Sequence, residues 1–285
     1  MKVLMTGSRG FVGTNLVEAL LEEHEIIRWD VRSDDELSEC DAVIHLAGKA
    51  HDVKMSDVGA QKAEEYFYVN TELTKKIYDA FLRSNAKKFI FFSSIKAKDN
   101  DTPYARSKYL AEQYILSHTD STERRTYILR PCMIHGKGVK GNLPLLFKFV
   151  KKGWPWPLAA FKNKRSYASM ENVSYVVSGL LEKDVESGIY NICDDEPVST
   201  NDLIRMISEA LGREAKMFNI PKGIIRIGAK FGDVLNLPLN TVRLHKMTGD
   251  SIVDNSEIKR ALGIRKMPVK TTDGLNVTIK DLIVK

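Results

Sequence analysis

Tyr104 and Lys108 stand four residues apart, a spacing that puts both side chains on one face of a helix. An ammonium beside a phenol favours the phenolate and draws its pKa from ~10 toward neutrality, giving a proton donor and acceptor matched to a carbonyl and its alcohol. Ser94, in Phe92-Ser93-Ser94, offers a hydroxyl to hold the reacting oxygen. In a chain with 10 Tyr such a pair is weak evidence alone. Position strengthens it, because it follows an apolar run that reads as a strand, and open α/β sheets bind ligands at that edge.

A second constellation opens the chain: Thr6-Gly7-Ser8-Arg9-Gly10-Phe11-Val12-Gly13, between an apolar run and a helical pattern. Gly7 suits a tight turn, Gly10 the close approach of backbone to a pyrophosphate, and Gly13 close packing of helix on strand. The helix start supplies free N–H groups and a positive dipole end to that diphosphate. Asp30, at the end of the second apolar run, is placed to take the ribose hydroxyls of NAD(H). Arg9 and Arg32 are placed to pair with a 2′-phosphate, and they favour NADP(H) over NAD(H). The stretch from Asp30 to Asp41 is too short for a usual third strand, so Asp30 can instead belong to the turn against the adenine.

These residues need a scaffold. Lys2–Met5, Glu25–Trp29, Ala42–Leu46, Phe89–Phe92, Tyr127–Leu129 and Ile189–Ile192 read as strands, being short, apolar and bounded by polar residues or Gly. Phe11–Glu23, Ala63–Ser84, Tyr104–Ser117 and Val173–Leu181 carry the helical period between them. Alternation of this kind implies a parallel sheet covered on both faces, a doubly wound α/β fold. The dinucleotide domain is expected over 1–131, with helix 173–181 and strand 188–193 returning to it. The remainder of 132–285 is expected to form a smaller substrate-binding lobe. Gly136, Gly138, Gly141, Gly153, Pro144, Pro155 and Pro157 make its start loop-rich, and Ser199–Gly212 is a capped helix within it.

Composition limits the alternatives. With 285 residues, 43% of them hydrophobic, the chain can bury a sizeable core, which excludes disordered and collagen-like classes. Cys40, Cys132 and Cys193 are odd in number and lie in no CxxC pair, so neither a disulfide framework nor a metal knuckle is expected. No apolar run approaches the ~18 residues of a membrane helix. A cytoplasmic location with no membrane partner is expected. The net charge of +6 is spread without a Lys/Arg block, so no nucleic-acid partner is expected.

Gly7-x-x-Gly10-x-x-Gly13, His45-Leu46-Ala47-Gly48, Asn70, Ser93-Ser94, Tyr104-x-x-x-Lys108 and Arg130-Pro131 together resemble the extended short-chain dehydrogenase/reductases, the NAD(P)-dependent sugar-nucleotide epimerases, dehydratases and reductases with a Rossmann fold. The resemblance implies that Tyr104 is the acid/base, that Lys108 binds the nicotinamide ribose, and that Ser94 positions substrate. Leu46, Ala47, Gly48, Asn70 and Pro131 would line the cofactor. It also implies a homodimer pairing the helices at Ala63–Ser84 and Tyr104–Ser117. Two departures carry information: only ten steps separate Ser94 from Tyr104, and Ile95-Lys96 stands where the family's dehydratases have Asp-Glu, which argues against dehydration.

The lobe carries its own resemblance. His135–Leu143, Asn163-Lys164-Arg165-Ser166-Tyr167 and Asp254-Asn255-Ser256 are similar to bacterial polysaccharide enzymes acting on UDP-linked N-acetyl sugars. By that resemblance Asn142, Arg165 and Arg243 contact the UDP diphosphate. The expected reaction is NADPH-dependent 4-reduction of UDP-4-keto-6-deoxy-N-acetylglucosamine to UDP-N-acetylquinovosamine. A UDP-hexose 4-epimerase holding NAD uses the same three residues. A dinucleotide-sensing regulator would need the glycine turn but neither Tyr104 nor Lys108. His51 and His135 are read as structural.

Overall fold

The computed structural model describes residues 1–30, 37–49, 60–99, 101–119, 123–235 and 240–284. Five of the six expected strands come in sequence order as β1 (Lys2–Thr6), β2 (Glu25–Trp29), β3 (Ala42–His45), β4 (Lys88–Phe92) and β5 (Arg125–Pro131). The short strands β6 (Met133–His135) and β7 (Tyr167–Ser169) precede β8 (Gly188–Ile192). The main sheet has the order β2-β1-β3-β4-β5-β8, all pairs parallel. This is the doubly wound α/β fold, and among the described residues β2 is its edge, with no third strand beyond it.

Parallel strands buried on both faces explain why each run is apolar throughout rather than alternating. Register places Leu4, Val43, Phe89, Phe91 and Ile128 on one face, packed against Ile77 and Phe81 of α3 (Leu73–Arg83) and Ala111 and Ile115 of α4 (Pro103–His118). Val3, Met5, Ile44 and Ile90 alternate to the other face and are fully buried. Two helices that pack on each other, α1 (Phe11–Leu20) and α6 (Met170–Glu182), bury Leu16, Leu20, Val176 and Leu180. Lys88, at the start of β4, donates to the carbonyls of Leu180, Leu181 and Lys183, closing the C-terminal end of α6, where a cation is favoured.

Two expected helices differ in detail. The helix expected over Phe11–Glu23 stops at Leu20, where tight bonds from Glu23 and His24 to the Leu20 carbonyl turn the chain into β2. The helix expected over Ala63–Ser84 starts at Ala60 and comprises α2 (Ala60–Phe67), a π-helical turn (Tyr68–Glu72) and α3. The π turn inserts one residue into an otherwise helical stretch, so a single helical period read across the whole stretch passes over it.

The chain divides into two compact units, described separately. Unit 1 comprises Met1–Ile134, Met170–Cys193 and Val253–Pro268, and unit 2 comprises His135–Ser169, Asp194–Ile252 and Val269–Lys285. Val253–Pro268, counted with the lobe in the sequence, joins unit 1 through α10 (Ser256–Leu262), whose Leu262 fills the space left by Gly179 of α6. Unit 2 is mainly helical, built from α5 (Asn142–Lys151), α7 (Thr200–Ala210), α8 (Lys222–Val234), α9 (Thr241–Thr248) and α11 (Thr271–Val284). Ser199 caps α7, accepting from the Asp202 backbone N–H at 3.0 Å. No described helix is long and apolar enough to cross a membrane.

Candidate active site

Thr6, His45, Phe92 and Pro131 are the last residues of β1, β3, β4 and β5, so the candidate residues of unit 1 gather at the carboxyl edge of the sheet. Gly7 has φ +66°, and a Cβ there would lie 2.6 Å from the Ala47 backbone nitrogen. A Cβ on Gly13 would lie 2.4 Å from the Gly7 carbonyl oxygen. These glycines therefore press the turn onto the Leu46-Ala47 segment and α1 onto the turn. Gly10 is the N-cap of α1 and has no side chain to cap the first N–H groups of the helix, Phe11 and Val12 among them. A dinucleotide diphosphate fits this bare, positive helix end. Arg9 is exposed beside it. Trp29 pairs with Thr6, which sets the exposed Asp30 at the level of Gly7. Arg32 lies outside the described residues, as does His51.

A buried polar relay supports the Leu46-Ala47 segment. The Thr74 hydroxyl donates to the Asn70 carbonyl at 2.8 Å, so it accepts from His45 Nε2 at 2.9 Å. His45 Nδ1 then accepts from Thr6 Oγ1 at 2.7 Å, and Thr6 Oγ1 accepts the Ala47 N–H at 3.2 Å. Complete burial, with the Lys108 charge adding to it, pushes His45 down to about 3, so the ring is neutral and can serve as donor and acceptor at once. Thr6, His45 and Thr74 are supporting residues to which sequence reasoning assigned no role; Thr6 only opened the glycine motif, His45 only opened the His45-Leu46-Ala47-Gly48 motif, and Thr74 stood in neither.

Asn70 lies in the π turn and is fully buried. Its Oδ1 accepts the Lys49 N–H at 2.8 Å, and its Nδ2 donates to the Lys49 carbonyl at 3.1 Å and to Ser107 Oγ at 3.0 Å. A Cβ on Gly48 would stand 3.1 Å from both Asn70 Oδ1 and Lys108 Nζ, so these three positions are in contact distance. Lys108 is buried and donates to the Phe92 carbonyl at 2.8 Å, with its ammonium 4.7 Å from the centre of the Phe91 ring. Burial lowers its pKa to about 8, against an opposing pull from Glu112.

Tyr104 is in the first turn of α4, behind Pro103 and the Thr102 cap, whose hydroxyl accepts the Ala105 N–H at 3.1 Å. Its half-buried ring meets Tyr66 edge-on at 6.2 Å. Ser107 binds the Tyr104 carbonyl at 2.9 Å, which links that turn to Asn70. Ser94 caps the short 3₁₀ turn Ile95–Lys98, accepting from the Lys96 N–H. Next to it the Ser93 hydroxyl donates to Glu112, which is fully buried and held by Arg130 at 2.5 and 2.9 Å. This buried fork ties β4, α4 and β5 together directly behind Ser94.

In unit 2, Asn142 is the exposed first residue of α5, and Arg243 is exposed in the first turn of α9. Arg165 sits half-buried on a backbone bridge to Val198. They stand on three separate segments. None lines the cavity of about 500 Å³ between α8, α9 and Phe161, whose charged lining is Lys162, Lys222, Arg226 and Lys230 with Asp250. Those cations lie in no motif; only the i, i+4, i+8 spacing of Lys222, Arg226 and Lys230 on α8 could have suggested a common face. His135 is buried and structural, bonded to Thr278 at 2.9 Å and facing Asp194 at 3.4 Å.

A doubly wound parallel sheet with a glycine cradle and a buried Lys one helical turn from a Tyr defines a dinucleotide-dependent oxidoreductase class. The model of the NAD dependent epimerase/dehydratase family matches residues 3–193, and the chain belongs to that family. It is 30% identical to UDP-glucose 4-epimerase of Vibrio cholerae, over 97% of this chain and 94% of that one. UDP-2-acetamido-2,6-beta-L-arabino-hexul-4-ose reductase of Pseudomonas aeruginosa is 32% identical over 50% of this chain and 38% of its own length. The structure of UDP-glucuronic acid 4-epimerase from Bacillus cereus in complex with NAD superposes with a TM-score of 0.76 at 18% identity, covering 100% of this chain and 99% of that one. The chain is an enzyme of this NAD(P)-dependent class, an oxidoreductase or an epimerase.

Proposed function

We propose that the enzyme transfers hydride at carbon 4 of a UDP-linked N-acetyl sugar, as the NADPH-dependent 4-reductase of UDP-4-keto-6-deoxy-N-acetylglucosamine. The observation that carries the reaction class is Lys108, pinned at the end of β4 within contact of Gly48 and one turn from Tyr104. When bound, the dinucleotide supplies the hydride. Tyr104 gives its proton to the sugar oxygen, the Lys108 charge stabilises the phenolate left behind, and the Ser94 hydroxyl donates to the same oxygen. Gly7, Gly10 and Gly13, with the N–H groups of Phe11 and Val12, hold the diphosphate. Arg9 and Arg32 take a 2′-phosphate, while Leu46, Ala47, Gly48, Asn70 and Pro131 line the nicotinamide side. Asn142, Arg165 and Arg243 serve the UDP diphosphate. Ile95 and Lys96 offer no acid–base pair for dehydration.

The second reading is an NAD-holding UDP-hexose 4-epimerase, favoured by Asp30 and by the near-full-length match to an enzyme named as an epimerase. One assay separates the two. Stoichiometric loss of NADPH with the 4-keto-6-deoxy sugar supports the reductase; interconversion of UDP-GlcNAc and UDP-GalNAc without net oxidation overturns it. Exposed Leu110 and Leu116 on α4 support a homodimer through that helix, to be read by light scattering.

A further inference from the structure

The charge of the chain is unevenly divided. Unit 2 holds 19 of the 43 Lys and Arg but 10 of the 37 Asp and Glu, so it carries +9 while unit 1 carries −3. On this basic unit, α8 presents an apolar ridge to solvent: Ile224 (61% exposed), Ile227 (58%), Phe231 (63%) and, one residue past the helix, Leu235 (64%). Spacing of three, four and four residues puts them in one row. The opposite side is already used, since Ile225 and Ala229 are buried. The ridge is therefore surplus to the packing of unit 2, and contiguous exposed apolar rows mark interaction surfaces.

We propose that α8 docks unit 2 on an anionic lipid bilayer, seating Ile224, Ile227, Phe231 and Leu235 among the headgroups while the surrounding cations face lipid phosphate. Its 13 residues are roughly 20 Å long, too short for a hydrocarbon core of about 30 Å but sufficient to lie in the interface plane. Charge decides the occupant. A second copy meeting α8 face to face would bring +9 against +9, whereas an anionic leaflet attracts each Lys and Arg near its surface. Absence of an 18-residue apolar run argues only against spanning, and is silent about a helix lying flat. This proposal is independent of which sugar the enzyme takes.

The test is co-sedimentation of the full chain with vesicles of phosphatidylcholine containing about one-third phosphatidylglycerol, and with phosphatidylcholine alone, at low and physiological salt. The expected result is partitioning at least about tenfold stronger to the anionic vesicles, weakened by salt, and lowered at least about tenfold by the exposed pair Ile227→Ser and Phe231→Ser. Dinucleotide binding by that variant is expected to match wild type, which guards against misfolding. Failure of the wild-type chain to sediment with anionic vesicles overturns the proposal. So does equal sedimentation of the variant, or a variant that changes only the oligomeric state.

Discussion

Unit 1 and unit 2 place their functional groups in opposite ways. In unit 1 the groups are buried and cross-braced: His45, Asn70, Lys108 and Glu112 are each at most 5% exposed, and each hydrogen-bonds to a different element of the fold. In unit 2 the cations ring an open cavity, and the apolar ridge of α8 faces solvent. A braced site holds reacting atoms in register, whereas an exposed cationic surface gathers an anion and adapts to it. Substitutions in unit 1 should accordingly act through chemistry or folding, and those in unit 2 through small changes in affinity or stability.

The largest contrast is expected at Tyr104. Tyr104→Phe removes only the hydroxyl, so turnover should fall by roughly 10²–10⁴-fold while dinucleotide affinity and thermal stability change little. Retained turnover in a steady-state assay would remove the proton-transfer role and with it the view of unit 1 as the chemical half. Next comes Gly13→Ala, whose new methyl has backbone 2.4 Å away and nothing flexible to displace. A loss of about 3 kcal/mol or more, with dinucleotide binding lost in calorimetry, is expected.

Buried ionisable groups give unit 1 its own pH signature. His45 has a folded pKa of about 3, below its unfolded value, so the unfolded chain takes up the proton first and stability is lost as pH falls from 6.5 toward 3. By pH 4.5 this costs about 2–3 kcal/mol, and His45→Gln should flatten that part of the urea-unfolding profile. Lys108 is lowered as well, and it acts with the same sign over pH 8–10.5. There the native state releases the proton before the unfolded chain does, so stability rises with pH. Lys108→Met removes a charge that is costly to bury, and should raise stability at pH 7 by on the order of 2 kcal/mol while turnover collapses. Lower stability in that variant would mean that the bond to the Phe92 carbonyl outweighs desolvation.

These residues differ in how far the sequence revealed them. The glycine turn, Ser94, Tyr104 and Lys108 were legible because each depends on local spacing, and the strands because burial on both faces leaves an apolar run. The relay through Thr6, His45 and Thr74 was not, since it joins residues 29 and 39 positions apart that meet only when β1 pairs with β3 and α3 packs on β3. The same holds for the Ser93–Glu112–Arg130 fork. In unit 2, the glycines and prolines of 136–157 suggested loops, and 136–141 and 153–157 lie outside helices. Pro144, however, sits in the first turn of α5, where Pro is tolerated, and α8 and α9 form by packing on each other without a motif to announce them. The charge asymmetry was hidden because unit 2 is assembled from three stretches of chain, so a composition taken along the sequence averages it away.

The smallest effect tests the open face of unit 2 directly. Gly228 lies on α8 beside the ridge, and a Cβ there would meet nothing within 4 Å, in contrast to Gly13. With no clash to offset it, Gly228→Ala should stabilise the helix by about 0.5–1 kcal/mol, through better helix propensity and fewer unfolded conformations. For a chain of 285 residues that is a rise of only about 2 °C in Tm, so it should be read by urea titration at several protein concentrations. A stabilisation independent of concentration fits a ridge that is bare in solution. A destabilisation that deepens with concentration would mean that a second copy already covers α8, and the contrast between a braced and an open half would then belong to the isolated chain alone.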